Sequence, residues 1–244
     1  MEEIGPASDP LDILHAAGGY YACPRDPITG KRLGPLVGYA GRYEGSDGQK
    51  LQYVGDVYFN VATLEQDPNV LRQEAERLGF ELRHGDFDSQ FDVVIGAPMG
   101  GIVLAALVAM ALRKRFAFLE KRVTALATGT SREQSELVLS RHDIGRDAPC
   151  LLVEDVCNNY STTGQAAAAI GTTGARLVGV GCFLNRSGKM EWEKRPVVAL
   201  VNKPTEQWKQ DDPAVAADIA AGNVILKPKA EWPRLMEAMA KTRQ

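Results

Sequence analysis

Residues 148–165, Ala-Pro-Cys-Leu-Leu-Val-Glu-Asp-Val-Cys-Asn-Asn-Tyr-Ser-Thr-Thr-Gly-Gln, run from an apolar stretch into two acids and then into hydroxyls and amides. Cys150 to Val153 is short, apolar and partly β-branched, which predicts a buried strand of a parallel sheet with Glu154 and Asp155 at its carboxyl end. Ligands of open α/β sheets bind at that end. Ser161-Thr162-Thr163-Gly164 offers hydroxyls and small side chains just before the helical run Gln165 to Ile170, whose free N–H groups make an anion site. Carboxylates able to accept from ribose hydroxyls thus stand beside a phosphate cradle, an order of chemistry suited to a sugar phosphate. The same order also describes a plain βα connection.

A second turn of small residues, Ile95-Gly96-Ala97-Pro98-Met99-Gly100-Gly101-Ile102, follows the apolar run Phe91 to Ile95 and opens an apolar helix. Small residues there let backbone amides approach a ligand, and they equally serve tight helix–sheet packing. The alternation of strands and helices from residue 64 onward argues for a mainly parallel sheet with helices on both faces. The predicted elements are helix 64–78 ending at Gly79, strand 91–95, helix 101–113, strands 115–120 and 136–141, strand 150–153, helix 163–170, and strands 177–184 and 196–201. The first fifty residues, rich in Gly and Pro, predict short strands and turns, and Val57 to Val61 a strand. The tail carries two helical candidates, 213–221 and 231–242, around a possible edge strand at 222–226.

The 148–165 stretch resembles the signature of the type I phosphoribosyltransferases: an apolar strand, two acids, a short spacer, Thr-Thr-Gly and a helix. The resemblance implies that the loop binds the 5′-phosphate of phosphoribosyl pyrophosphate, through Asn158, Asn159 and Tyr160 and then Ser161, Thr162, Thr163, Gly164 and Gln165. It also implies that Glu154 and Asp155 hold the ribose hydroxyls and a Mg²⁺ ion, and that the loop of Met99, Gly100 and Gly101 wraps the pyrophosphate. The spacer departs from the pattern. The family has one residue between the valine after the acids and Thr-Thr-Gly, whereas Cys157 to Ser161 supplies five, so a longer loop is expected.

Within that family the chain is most similar to the orotate enzymes. Lys121 falls on their Arg-Lys-Glu triplet and takes the catalytic role by resemblance, together with the two acids. Glu120 and Arg122 replace the triplet's flanking residues, and Val123 to Ala127 lacks the mobile-loop lysine and histidine, leaving Arg122, Arg132, Arg141 and His142 as candidate substitutes. Lys50 resembles a donor-binding lysine ahead of a Tyr/Phe-rich strand whose Tyr58 and Phe59 would border the base pocket. Phe183-Leu184-Asn185-Arg186 resembles Leu-Asp-Arg, which makes Arg186 the base reader, its guanidinium fork suited to a carboxylate or carbonyl edge.

The chain of 244 residues is long enough for one large α/β domain or a core with an appendage. The expected division is a cap at 1–62, an α/β phosphoribosyltransferase core at 63–205, and a helical extension at 206–244 packing on the core. The 28 basic and 31 acidic residues leave a net charge of −3, which excludes broad attraction for nucleic acid. No apolar run reaches the length that spans a bilayer, and the acidic start lacks a secretion-signal layout, so a cytoplasmic protein is expected. The four cysteines show no zinc or redox spacing; Cys150 and Cys182 read as core, and Cys157 as facing ligand. The reading is therefore transfer of phosphoribosyl from phosphoribosyl pyrophosphate to a base, orotate first, by a Mg²⁺-dependent homodimer. The alternatives are a purine or other base as acceptor, or a sensor of the same fold that binds without turnover.

Overall fold

The computed structural model describes residues 8–46, 48–125 and 134–241. These divide into two compact units, one drawn from 1–63 together with 205–244 and the other from 64–204.

The N-terminal unit opens with α1 (Pro10–Ala16), whose Asp9 carboxylate accepts from the Leu11 N–H and whose Pro10 takes the first helical position. Seven residues are too few to show helical periodicity, so the short strands and turns expected over the first fifty residues did not include this helix. Four strands follow: β1 (Tyr20–Ala22), β2 (Leu36–Glu44), β3 (Lys50–Gly55) and β4 (Val57–Phe59). β1 pairs antiparallel with β4, and β2 with β3.

The second unit contains α2 (Pro68–Arg83), β5 (Val93–Gly96), α3 (Gly101–Leu112), β6 (Arg115–Phe118), β7 (Glu120–Ala125), β8 (Gln134–Val138), β9 (Pro149–Cys157), α4 (Ser161–Thr172), β10 (Arg176–Asn185), β11 (Glu191–Trp192) and β12 (Arg195–Asn202). Six of these strands form one sheet in the order β11-β12-β10-β9-β5-β6, parallel throughout except for β11, while β7 and β8 pair antiparallel with each other. From β5 the chain crosses through α3 to β6 on one side, whereas β9 leads through α4 to β10 on the other. Strand order therefore reverses between β5 and β9, which opens a crevice at their carboxyl ends. Val93, Ile95, Cys150 and Leu152 pack against Ala166, Ala169 and Ile170 of α4, with α2 and α3 serving the opposite face. The fold is the mainly parallel, helix-flanked α/β sheet expected.

Two helix boundaries differ from expectation for local reasons. α2 starts at Pro68, where Asp67 accepts from the N–H groups of Asn69 and Val70, because residues 61–66 form a 3₁₀ turn first. It then runs through Gly79. A Cβ there would make only ordinary contact, with Ala111 at 3.4 Å and Leu112 at 3.6 Å, and the helix stops instead ahead of Gly85, whose φ is +64°.

The C-terminal residues complete the N-terminal unit: α5 (Ala216–Ala220), β13 (Val224–Ile225) and α6 (Trp232–Ala240). β13 lies parallel to β2 as a third strand, and Ile225 and Leu235 are buried with Tyr21, Val37 and Tyr39. Residues 206–244 were expected as an extension of the α/β core; their apolar side chains instead finish the core of the N-terminal unit. Because Leu78 is fully buried on α2 beneath β10, Leu78→Ala should lower unfolding free energy by about 2–5 kcal/mol in urea titration, with the slope unchanged.

Candidate functional site

The site grows from the level ends of β5 and β9, where Gly96 is paired with Val153. Beyond β5 the Ala97 N–H donates to the Val153 carbonyl at 2.9 Å, and the chain turns through Pro98 and Met99, joined by a cis peptide, into α3. This turn passes so near β9 that no side chain fits. A Cβ on Gly101 would lie 2.4 Å from the Val153 oxygen, and one on Gly100 would lie 2.1 Å from Oδ2 of Asp155. The two motifs that the sequence separates by fifty residues are thereby one crevice, with the Asp155 carboxylate over the glycine turn. Oδ1 of Asp155 accepts from the Val156 N–H at 2.9 Å, which fixes the carboxylate at the strand end. Met99 projects outward, 83% exposed.

The two acids part company. Consecutive strand residues point to opposite faces, and Glu154 turns toward α4, where Thr163 donates its hydroxyl to Oε1. Glu154 is 6% exposed and Thr163 1%. Burial pushes the Glu154 carboxyl up to about 7; the Thr163 hydrogen bond pulls it down and the adjacent Asp155 charge pushes it up further. Glu154, expected with Asp155 to hold the ribose hydroxyls, thus faces α4, and the Thr163 hydroxyl, expected in the phosphate loop, is directed at Glu154. Asp155 is left as the carboxylate beside the glycine turn.

The long spacer does not make a long loop. β9 extends through Val156 to Cys157, and α4 begins at Ser161 rather than after Thr-Thr-Gly, so only Asn158, Asn159 and Tyr160 lie between them. Asn159 accepts from the Ser161 N–H at 3.1 Å, leaving the first-turn amides of Thr162 and Thr163 without helical partners. Ser161 and Gln165 are exposed, and Gly164 sits in the first turn with only Trp192 within 4 Å of a built Cβ, at 3.9 Å. Tyr160 is 8% exposed, its hydroxyl bonded to Ser187 and the Lys189 carbonyl and its ring stacked on Trp192, so only its backbone can serve a phosphate. Cys157 was expected to face ligand. It is 1% exposed and packs with Cys182 and Val180, and the Cys182 thiol together with burial pushes its pKa up.

Arg186 follows the end of β10, which is paired with the end of β9: Asn185 lies level with Cys157, and the Arg186 N–H donates to the Cys157 carbonyl at 2.8 Å. It is 6% exposed. Lys121 sits on β7, exposed and level with Leu137 of β8 in an antiparallel hairpin. Arg122 is paired with Glu136 and Arg141 with Glu120, contacts at the surface that solvent screens. His142 packs its ring on Phe118, and Arg132 lies outside the described residues. Lys50, Tyr58 and Phe59 belong to the N-terminal unit. There Lys50 opens β3 exposed, Tyr58 packs against Trp232, and Phe59 is buried against Tyr20. Sequence reasoning missed Trp192 and Ser187 and gave Asn185 no role of its own; their neighbours become visible only once β10, β11 and the 158–160 loop are brought together.

The Glu154 shift has a definite sign. A carboxyl whose folded pKa exceeds its unfolded value binds more protons when folded, so it lowers stability as pH rises from about 4.5 to about 7. Relative to Glu154→Gln, the ligand-free protein should match in stability near pH 4 and lose about 3 kcal/mol by pH 8, read as a divergence of urea midpoints. Parallel midpoints across that range would contradict the buried geometry.

The family model described as phosphoribosyl transferase domain matches residues 60–218. Among curated relatives, the orotate phosphoribosyltransferase of Carboxydothermus hydrogenoformans is 29% identical over 132 residues, which span 54% of this chain and 62% of that protein. That of Thermus thermophilus is 31% identical over 156 residues, 63% of this chain and 77% of the relative. The match thus spans less than two thirds of the first of these relatives. Among solved structures, the orotate phosphoribosyltransferase from Aeropyrum pernix aligns over 78% of this chain and 92% of its own, with a TM-score of 0.51 at 18% identity. The adenine phosphoribosyltransferase from Thermoanaerobacter pseudethanolicus aligns over 79% and 99%, with a TM-score of 0.50 at 13% identity; at these identities the likeness is one of fold. The family match covers most of the chain, and the parallel sheet with its crevice between β5 and β9 agrees with it: this chain belongs to the type I phosphoribosyltransferases.

Proposed function

We propose that this protein transfers the phosphoribosyl group of phosphoribosyl pyrophosphate to a ring nitrogen of orotate, releasing pyrophosphate. The observation that carries the reading is Asp155 over the Gly100–Gly101 turn at the point where strand order reverses. The curated relatives carrying the orotate name support the acceptor, as does Arg186 beside the end of β9. The guanidinium fork suits the carboxylate that distinguishes orotate from other pyrimidines.

In this reading the first-turn amides of Thr162 and Thr163 take the 5′-phosphate, and Asp155 accepts from the ribose hydroxyls. The glycine turn brings backbone amides against the pyrophosphate with no side chain in the way. The bond from C1′ to the pyrophosphate oxygen breaks as the base nitrogen approaches the other face, and its electron pair leaves with pyrophosphate. The protein supplies alignment of the base and stabilisation of the departing charge. Among the described residues no group of three or more candidate ligands could hold a metal. Mg²⁺ needs only one or two protein carboxylates when substrate oxygens complete its shell, which Asp155 fits. When bound it would neutralise charge on the donor's oxygens.

A non-catalytic sensor is the second reading. It is favoured by the β7–β8 hairpin and the turn after it, where Arg122 is held by Glu136 and Arg141 by Glu120 in the region in which the orotate enzymes place a mobile lysine. Pyrophosphate release from phosphoribosyl pyrophosphate and Mg²⁺ with orotate, uracil, adenine, guanine and hypoxanthine separates the two. Release with orotate is expected; donor binding with no release on any base would establish the sensor. Asp155→Ala should weaken donor binding by at least a hundredfold in calorimetry. Arg186→Ala should raise the orotate KM by about tenfold or more while the donor KM changes less than twofold, consistent with about 1.5–3 kcal/mol for a charged hydrogen bond.

A further inference from the structure

We infer that Tyr160 is a positioning residue that ties the phosphate loop to the turn carrying Arg186, so that occupancy of the donor phosphate site sets the acceptor-side arginine. The inference rests on the proposed function and adds to it a coupling between the two substrate sites. Tyr160 belongs to the spacer in which this chain exceeds the family's single residue. It adopts φ +58° and ψ +20°, a region that residues with a side chain enter rarely and hold only when their surroundings dictate it.

Those surroundings are specific. The Ser187 hydroxyl donates to Oδ1 of Asn185 at 2.7 Å and accepts from the Lys189 N–H at 3.0 Å. With its proton so placed, Ser187 receives the Tyr160 hydroxyl at 2.8 Å; the Lys189 carbonyl lies 3.1 Å from the same hydroxyl. Asn185, fully buried, closes the ring by donating Nδ2 to the Lys189 carbonyl at 2.8 Å and accepting from the Ser187 N–H at 3.0 Å. Arg186 stands inside this turn, held from β9 by its N–H on the Cys157 carbonyl. At its other end Tyr160 is the residue from which α4 begins: its carbonyl accepts from the Gly164 N–H at 2.8 Å. Moving Tyr160 therefore moves the first-turn amides and the Arg186 turn together. The stacked Trp192, 6.3 Å away at 29°, holds the ring without the hydroxyl.

That separation of ring from hydroxyl supplies the test. Calorimetry measures how much saturating ribose 5-phosphate, which fills the phosphate loop without a leaving group, tightens binding of orotate and, in a parallel series, adenine. In the wild type a factor of about five or more is expected for the base that turns over, the usual lower range of such coupling. Tyr160→Phe keeps the stacked ring and should bring the factor below two while each ligand alone still binds. Ser187→Ala should do the same, and the double variant should lose nothing further. A wild-type factor of one, or wild-type coupling in both single variants, overturns the inference while pyrophosphate release leaves the proposed function standing. If the wild type binds neither ribose 5-phosphate nor phosphoribosyl pyrophosphate, both fall together.

Discussion

β5 and β9 run side by side with their ends level, and the chain leaving β5 must turn into α3 in the space above the end of β9. That turn is admissible only because residues 100 and 101 have no side chains, since any Cβ would strike Asp155 or the Val153 carbonyl. Everything functional follows from this approach. It seats α3 on the sheet, fixes the position of the Asp155 carboxylate relative to a backbone turn, and leaves amide-lined space where a polyphosphate can come close. The glycines serve packing, and in the proposed reading the same close approach admits the ligand, so the two readings that the sequence leaves open are compatible with one geometry.

The second constraint is the burial of Glu154. A carboxyl taken almost fully out of water raises its pKa unless partners compensate, and here Thr163 is its hydrogen-bond donor. The contact pins the first turn of α4 to β9 and so places the amides that would receive a phosphate. One acid thus organises the cradle while the other faces it.

The five-residue spacer shows how chain length and loop length differ. Two forces absorb the extra residues: β9 keeps its pairing with β10 as far as Cys157, and α4 starts at Ser161, one residue before Thr-Thr-Gly. Only three residues remain between them, and Tyr160 among them is drawn inward onto Trp192 and the 185–189 turn. Sequence distance from a motif does not reveal whether inserted residues bulge or are consumed by the flanking elements, because backbone pairing decides it.

By itself the sequence determined the parallel α/β architecture, the strand end carrying Glu154 and Asp155, and the glycine turn, because each is encoded in a local run of apolar, acidic or small residues. The family resemblance was legible for the same reason. Only the tertiary structure decided that Glu154 turns to Thr163, that Tyr160 and Cys157 are buried, that Gly79 continues α2, and that residues 224–225 pair with β2. Those outcomes depend on which neighbour supplies a hydrogen bond or an apolar surface. Neighbours fifty or two hundred positions apart are chosen by packing, not by local pattern.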